Sequence, residues 1–431
     1  MLGPPRPSAD TAGEVGALRL VALALALCVL LASTAAALPL AAAPTDAADA
    51  VAPVQPVEPA DNTTARLVLP AGDDRTSDFY TARLDVAGST AAQTARIHGR
   101  YVTVELREEF AAAETDEERR RVVETTATEI DERLTELESR QETALSSYVA
   151  GDLSAGGLLR ELVAVHTAAR ALETTVNQLY TYDRAVGTPV PPTEIARLKS
   201  RIIPLQGPVR DRVASALRTE GESARVYVVA SGNGLVLSTV AEGDFSTQYV
   251  REALYRDGFD DSFSDRPITL DTFRDRMEEL YPWVFGTDPP TDTVLTSEPY
   301  YLNAGVYGIA INHPQGTVSD RDLVVYYDAS TDEVFYEVQR QDVSTLPTRV
   351  LANATDDGLL LTLRGTHADG PLAVEVRNAT TGERVDATVT LNGDTLGTTG
   401  GDGLWTVAPR GTFVVTAETG DGNVTASVTN V

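Results

Sequence analysis

Cysteine, lysine, histidine and methionine are almost missing from these 431 residues. A single cysteine, Cys28, makes an internal disulfide framework impossible, so stability must come from packed cores. The four histidines, His98, His166, His313 and His367, stand far apart, and none begins a His-Glu-x-x-His helix. Nor does the chain contain a Gly-rich phosphate loop or a nucleophile elbow. No catalytic residue, metal ligand or cofactor site is therefore assigned, and the protein is read as a non-enzyme. Lys199 is the only lysine, and all other basic residues are arginine. With 35 basic against 63 acidic residues the formal charge is −28, and no basic stripe exists to neutralise phosphates. Nucleic acid is excluded as a partner on that ground.

Long hydrophobic runs are scarce too, with one exception. Leu20 to Ala32 is uncharged and densely apolar, and small residues continue it to Ala37. It follows the weakly basic Arg6 and Arg19, the arrangement of an export signal. Its core has signal-peptide length, and counted to Leu38 it just reaches the roughly 20 residues a bilayer requires. Residues 1–38 are thus a signal peptide or a signal anchor (a transmembrane helix), and both remain open. Cys28 lies inside the apolar core behind Leu27, where a lipid-attachment motif requires a small residue, and is read as apolar filler. The rest of the chain is placed outside the cell, touching the membrane only through this segment if it is retained.

The acidic, lysine-poor composition resembles that of proteins from extreme halophiles. In multimolar salt the Debye length falls to about 3 Å or less, so repulsion between carboxylates is mostly screened. An ordinary acidic secreted protein from a GC-rich genome is the alternative. Four Asn-x-Ser/Thr sequons, at Asn62, Asn353, Asn378 and Asn423, flank the middle of the chain and are glycosylation candidates.

The pattern of residues divides the chain into a multidomain α+β protein. Residues 39–64 are Ala, Pro and Asp with few large side chains, a disordered tether. Residues 65–104, with the runs Leu67-Val68-Leu69 and Tyr101-Val102-Thr103-Val104, are read as a short extended region. Residues 105–221 are read as an all-helical domain. Thr115 to Glu118 forms a capping box. Beyond it Val123, Ala127, Ile130, Leu134, Leu137, Gln141, Ala144 and Tyr148 repeat with coiled-coil spacing. After a stop at Gly151 and a cap at Ser154, Leu158, Leu162, Val165, Ala169, Leu172, Val176 and Leu179 match that seam, so an antiparallel hairpin is expected. Gln141 is expected to fix register, and His166 to lie on the helix surface. Shorter helices follow Pro192 and Pro208.

Residues 222–347 are read as an α+β domain with an antiparallel sheet. A hairpin turns at Ser231 to Gly234, helices are expected over 247–256 and 270–281, and three strands follow over 305–311, 323–327 and 334–339. The aromatic residues of this region, among them Tyr281 and Trp283, are expected in its core. Asp257 to Asp265 fails the calcium-loop template, because its Gly comes second, and is read as a solvated acidic turn. Residues 348–431 show six short strands separated by tight turns, as in a sandwich.

Three resemblances follow. Thr381 to Gly393, Leu396 to Gly403 and Ala408 to Thr416 look like a carboxypeptidase regulatory-like domain of the transthyretin-like type, which implies a non-catalytic accessory sandwich at a surface. The leader, tether and acidic hairpin together resemble uncharacterised haloarchaeal exported proteins. Separately, Asp328-Ala-Ser-Thr-Asp-Glu-Val-Phe-Tyr-Glu-Val resembles the hairpin of PepSY-type modules, thought to restrain peptidases, although Asp332 stands where that family has Gly. The expected role is interaction with other cell-surface proteins or envelope architecture in a halophilic archaeon. The alternative is an extracellular sensor or peptidase regulator acting through the α+β domain.

Overall fold

The computed structural model describes residues 57–58, 66–69, 76–243, 246–260, 268–285, 300–303, 305–315 and 318–430. The apolar segment within 1–38, most of the Ala/Pro-rich stretch and Asn62 lie outside them. Short strands β1 (Val57–Glu58) and β2 (Arg66–Leu67) pair antiparallel. Next come β3 (Thr76–Ala82) and the helices α1 (Val86–Ala112), α2 (Asp116–Val149), α3 (Ala155–Ala185), α4 (Pro192–Ile202) and α5 (Pro208–Arg218). The middle of the chain supplies β4 (Ala224–Ser231), β5 (Gly234–Glu242), β6 (Thr247–Tyr255), α6 (Leu270–Leu280) and α7 (Pro282–Phe285). It closes with β7 (Tyr300–Asn303), β8 (Val306–Gln315), β9 (Val318–Asp328) and β10 (Glu333–Asp342).

The helical hairpin forms for the reasons its spacing gives. Thr115 Oγ1 accepts the Glu118 amide at 3.2 Å, and Glu118 returns the contact by accepting the Thr115 amide at 3.0 Å. Every seam residue of α2 from Val123 to Tyr148 is buried, and so is its α3 counterpart. Each fully buried Leu or Val there contributes about 1.5–3 kcal/mol of transfer free energy. Gly151, at φ +81°, supplies the left-handed residue of the turn.

The extended reading of residues 65–104 fails over its second half. Tyr101 to Val104 lie within α1, which packs along α3 through Gly88, Ala92, Ala95, Gly99, Thr103 and Leu106. Those positions keep the same alternating spacing as the other seams, but most are too small to stand out as hydrophobic. Where Gly99 crosses α3, an added Cβ would lie 2.4 Å from that of Ala171.

The sheet runs β3-β4-β5-β6-β10-β9-β8-β7, with every neighbouring pair antiparallel. The helix expected over 247–256 is strand β6, its Arg251 and Glu252 buried on opposite faces. Side by side in sequence they look like a helix surface; each is instead neutralised inside the protein. The β4–β5 hairpin closes over Gly232 and Asn233, with Ser231 paired to Gly234. Helices and sheet are not separate bodies. Leu158, Leu162, Val213 and Leu217 share one core with Val226, Val228, Leu237 and Val338. The opposite face is covered by α6, α7 and residues 67–69, with Phe273, Met277, Tyr281 and Trp283 over Tyr249, Ile309 and Val325.

The C-terminal region is a β-sandwich. One sheet holds β11 (Arg349–Asp356), β12 (Leu359–Gly365), β13 (Pro371–Asn378) and, skipping two, β16 (Leu404–Val407). The other contains β14 (Thr388–Leu391), β15 (Asp394–Thr398), β17 (Gly411–Glu418) and β18 (Asn423–Asn430). Leu361, Leu363, Val374, Val389, Phe413, Val415 and Val424 fill the space between them.

Candidate functional site

Charge buried on β6 sets the local architecture. On the helical face, the Glu252 carboxylate accepts Arg210 Nε at 2.9 Å and the Val209 amide, at the start of α5, at 3.0 Å. Burial pushes Glu252 above the usual carboxylate range, against the pull of Arg210. Arg210 also donates to Gln141 Oε1 at 3.0 Å and to the Pro204 carbonyl at 3.1 Å. Gln141 therefore does more than set register: it ties α2 to the first turn of α5. On the other face Arg251 donates to Glu337 at 2.7 Å and to the Leu67 carbonyl, while Tyr281 Oη donates to Glu337 at 2.8 Å. Burial works against the charge on Arg251, but Glu337 beside it keeps its pKa above the ordinary value.

Between the helical layer and the sheet a cleft of about 1220 Å³ remains. Its floor is the outward side of three strands: Val250 on β6, Tyr336 and Val338 on β10, and Val324 and Tyr326 on β9. Val324 and Tyr326 are only half-buried, whereas Leu323, Val325 and Tyr327 on the opposite face are fully buried. Arg170, Lys199, Arg212 and Arg340 line the walls together with Glu173, Asp211 and Glu222. The three acids are engaged nearby: Glu173 by Gln206 at 3.2 Å, Glu222 by Ser215 at 2.9 Å, and Asp211 by Arg170 at 3.7 Å. His166 is not a helix-surface residue, since it is 3% exposed at the cleft wall. Its Nδ1 accepts the Gly207 amide at 3.3 Å, and its Nε2 lies 3.5 Å from Asp211. Asp211 is held below the usual carboxylate range, first by His166 and further by Arg170.

The outer face of α1 is a second unusual surface. Five of the nine exposed large apolar side chains among the described residues, Leu84, Val86, Ile97, Tyr101 and Val104, fall in residues 84–104. At 100° per residue Val86, Ile97, Tyr101 and Val104 lie on one stripe, which Thr90 and Gln93 share, with Arg96, Arg100 and Arg107 along its flank. From Val86 to Val104 the helix has no acidic residue.

The sandwich is docked on the sheet by a buried acid. Arg410 donates to the Asp369 carboxylate at 3.0 and 3.1 Å, and Tyr249 Oη reaches the Asp369 carbonyl at 2.9 Å. The Arg410 amide donates to Tyr227 Oη at 3.1 Å, and Val407 packs into the sheet's core. Burial would raise the pKa of Asp369, but His367, Arg410, Arg251 and Arg66 together hold it well below the usual range. Burial and Arg66 lower the pKa of His367.

Of the sequons, Asn353 is exposed on β11 and Asn423 is exposed at the start of β18. Asn378, at the end of β13, is partly buried and accepts the Thr380 and Thr381 amides at 2.9 Å. Among the described side chains, His98 is exposed on α1, His166 lines the cleft and His367 lies in the sandwich. Among the described residues no group of three or more His, Cys, Asp or Glu is arranged to hold a metal. Of the turn at 257–265, residues 257–260 are described; there Asp257 accepts Asn233 at 2.7 Å, and the Asp260 amide donates to Asp328 at 2.9 Å. No helix among the described residues is long and apolar enough to cross a membrane. The cleft, the buried Arg–Glu pairs and the face of α1 were not legible as sites in sequence, though the acid-free run over 86–104 is a signal that could have marked the last.

Comparison with known families extends over nearly the whole described chain. No match was found among curated proteins or among solved structures. Residues 17–223 match a domain of unknown function (DUF7096), and residues 226–347 match a family of unknown function (DUF7094). The sandwich matches an archaeal fibronectin-III type-like domain over residues 351–426, rather than the carboxypeptidase regulatory-like group its turns resemble. The chain thus joins two regions of unknown function to a C-terminal archaeal fibronectin-III type-like β-sandwich, a composition that suggests a surface or interaction role.

Proposed function

We propose that the protein is a non-enzymatic interaction or envelope-architecture protein, exported to the cell surface of a halophilic archaeon, whose partners are other envelope proteins. The outer face of α1 carries this reading. An exposed apolar stripe is costly to leave in water, and one bordered by arginines suits an acidic partner surface. The fibronectin-III type-like sandwich and the apolar segment near residue 20 support the placement outside the cell.

Site-specific photo-cross-linking on intact cells tests it. A cross-linker at position 97 should trap a discrete partner, while one at Glu136, exposed on α2, should not. Equal labelling from both positions, or recovery of the protein from the cell interior, refutes the proposal.

A second reading, a peptidase regulator acting through the α+β region, has one supporting observation. The loop between β9 and β10 is tightly ordered: Asp328 accepts the Ser330 amide at 2.8 Å, and Asp332 adopts φ +61° where the PepSY-type hairpin has Gly. If the full protein in stoichiometric excess leaves an exported protease uninhibited, this reading is removed.

A further inference from the structure

The cleft between the helical layer and the sheet has a chemistry opposite to that of the rest of the chain. A formal charge of −28 means that most cations here should find carboxylates, and many do among the described residues. Of the four cations at the cleft, Arg170 alone does so among the described residues, with Asp211 at 3.7 Å. Lys199 and Arg340 make no ion pair among the described residues; Lys199 lies 5.2 Å from the Tyr180 ring, and Arg212 donates only to the Glu242 carbonyl at 3.3 Å. Four cations stand against the three carboxylates of the same walls, so the lining carries a net formal charge of +1 in a chain of −28.

Beneath these cations the floor is half-buried sheet surface, with Val324 and Tyr326 alternating outward on β9. A volume near 1220 Å³ exceeds the roughly 300–1,000 Å³ typical of small-molecule pockets, which favours a segment of chain over a metabolite. We propose that this cleft binds an acidic, amphipathic segment of another polypeptide. Its carboxylates would meet Lys199, Arg212 and Arg340, and its apolar side chains would rest on Val324 and Tyr326. Such a ligand supplies the charge the walls lack and removes apolar floor from water. This surface is separate from the outer face of α1 and does not depend on what that helix binds.

Fluorescence anisotropy of the full chain, purified in mild detergent at the lowest salt that preserves its circular dichroism, tests the proposal. The probe is a labelled peptide alternating Glu and Leu; its controls are the same peptide with Lys for Glu, and citrate. The acidic peptide should bind, the basic one should not, and affinity should fall as salt rises. Arg340→Glu and Lys199→Glu should each weaken binding roughly tenfold, Arg340→Lys should restore most of it, and Ile97→Glu should leave it unchanged. Unchanged affinity in both charge reversals overturns the proposal, as does equal binding of the two peptides or no binding. Binding of citrate alone overturns the choice of a polypeptide ligand.

Discussion

α1 and α2 flank the same helix, α3, and meet it by the same alternation of positions, yet their outward faces are opposites. α2 buries Ile130, Leu134 and Leu137 and turns Glu136, Ser139 and Arg140 to solvent. α1 buries Gly88, Ala92, Ala95 and Gly99 and turns Val86, Ile97 and Val104 to solvent. A helix face can therefore be interior because it is small, not only because it is greasy. Large apolar residues do not by themselves say which side faces the core.

The strongest way to break this contrast is to charge the inner face of α2. Leu134→Asp should cost about 4 kcal/mol or more and unfold the helical layer in a denaturant titration, since it opens a cavity and buries a carboxylate. Acid offers a perturbation aimed away from both seams. The pKa of Asp369 is lower in the folded protein than in the unfolded chain, so its stabilising contribution is present above about pH 4 and is lost as pH falls through the depressed folded value. His367, also lowered, acts in the same direction, and its contribution begins to fade below about pH 6.5. Stability should decline on acidification. Asp369→Asn should cost about 3 kcal/mol at neutral pH and flatten that decline, as read by thermal melting.

A smaller effect tests the inner face of α1. Gly99→Ala improves helix propensity, yet it should destabilise by about 1 kcal/mol because the new methyl meets Ala171. A stabilised Gly99→Ala protein would mean the helices separate easily and the contrast is weaker than it looks. The smallest effect belongs to the outer face. Ile97→Glu should change stability by no more than about 0.5 kcal/mol while abolishing the cross-linked partner of α1. A large loss of stability there would show that Ile97 serves the fold.

The same contrast explains how much of the molecule could be read beforehand. The α2–α3 hairpin, the β4–β5 hairpin and six of the eight sandwich strands carry strong local signals: a capping box, heptads of large residues, tight turns. α1 does not announce itself, because Tyr101-Val102-Thr103-Val104 has strand-like composition while its seam is mostly Gly, Ala and Thr. β6 resembles a helix, because Arg251 and Glu252 look solvent-facing although Glu337 and Arg210 neutralise them inside the protein. Strands β11 and β15 leave little pattern, being edges with few buried side chains. The cleft could not be inferred at all. It depends on how the helices sit over the sheet, which no local pattern encodes.

Strand β3 is laid down before the helices and pairs with β4 after them, Ala82 opposite Ala224. A ribosome must therefore release the entire helical insertion before this edge of the sheet can close, and the closing step carries the entropic cost of a very long loop. A fragment beginning near Val226 would lack β3 and would offer an unpaired β4 edge to its neighbours in solution, inviting aggregation. The two regions that match separate families share, in this chain, one sheet and one core.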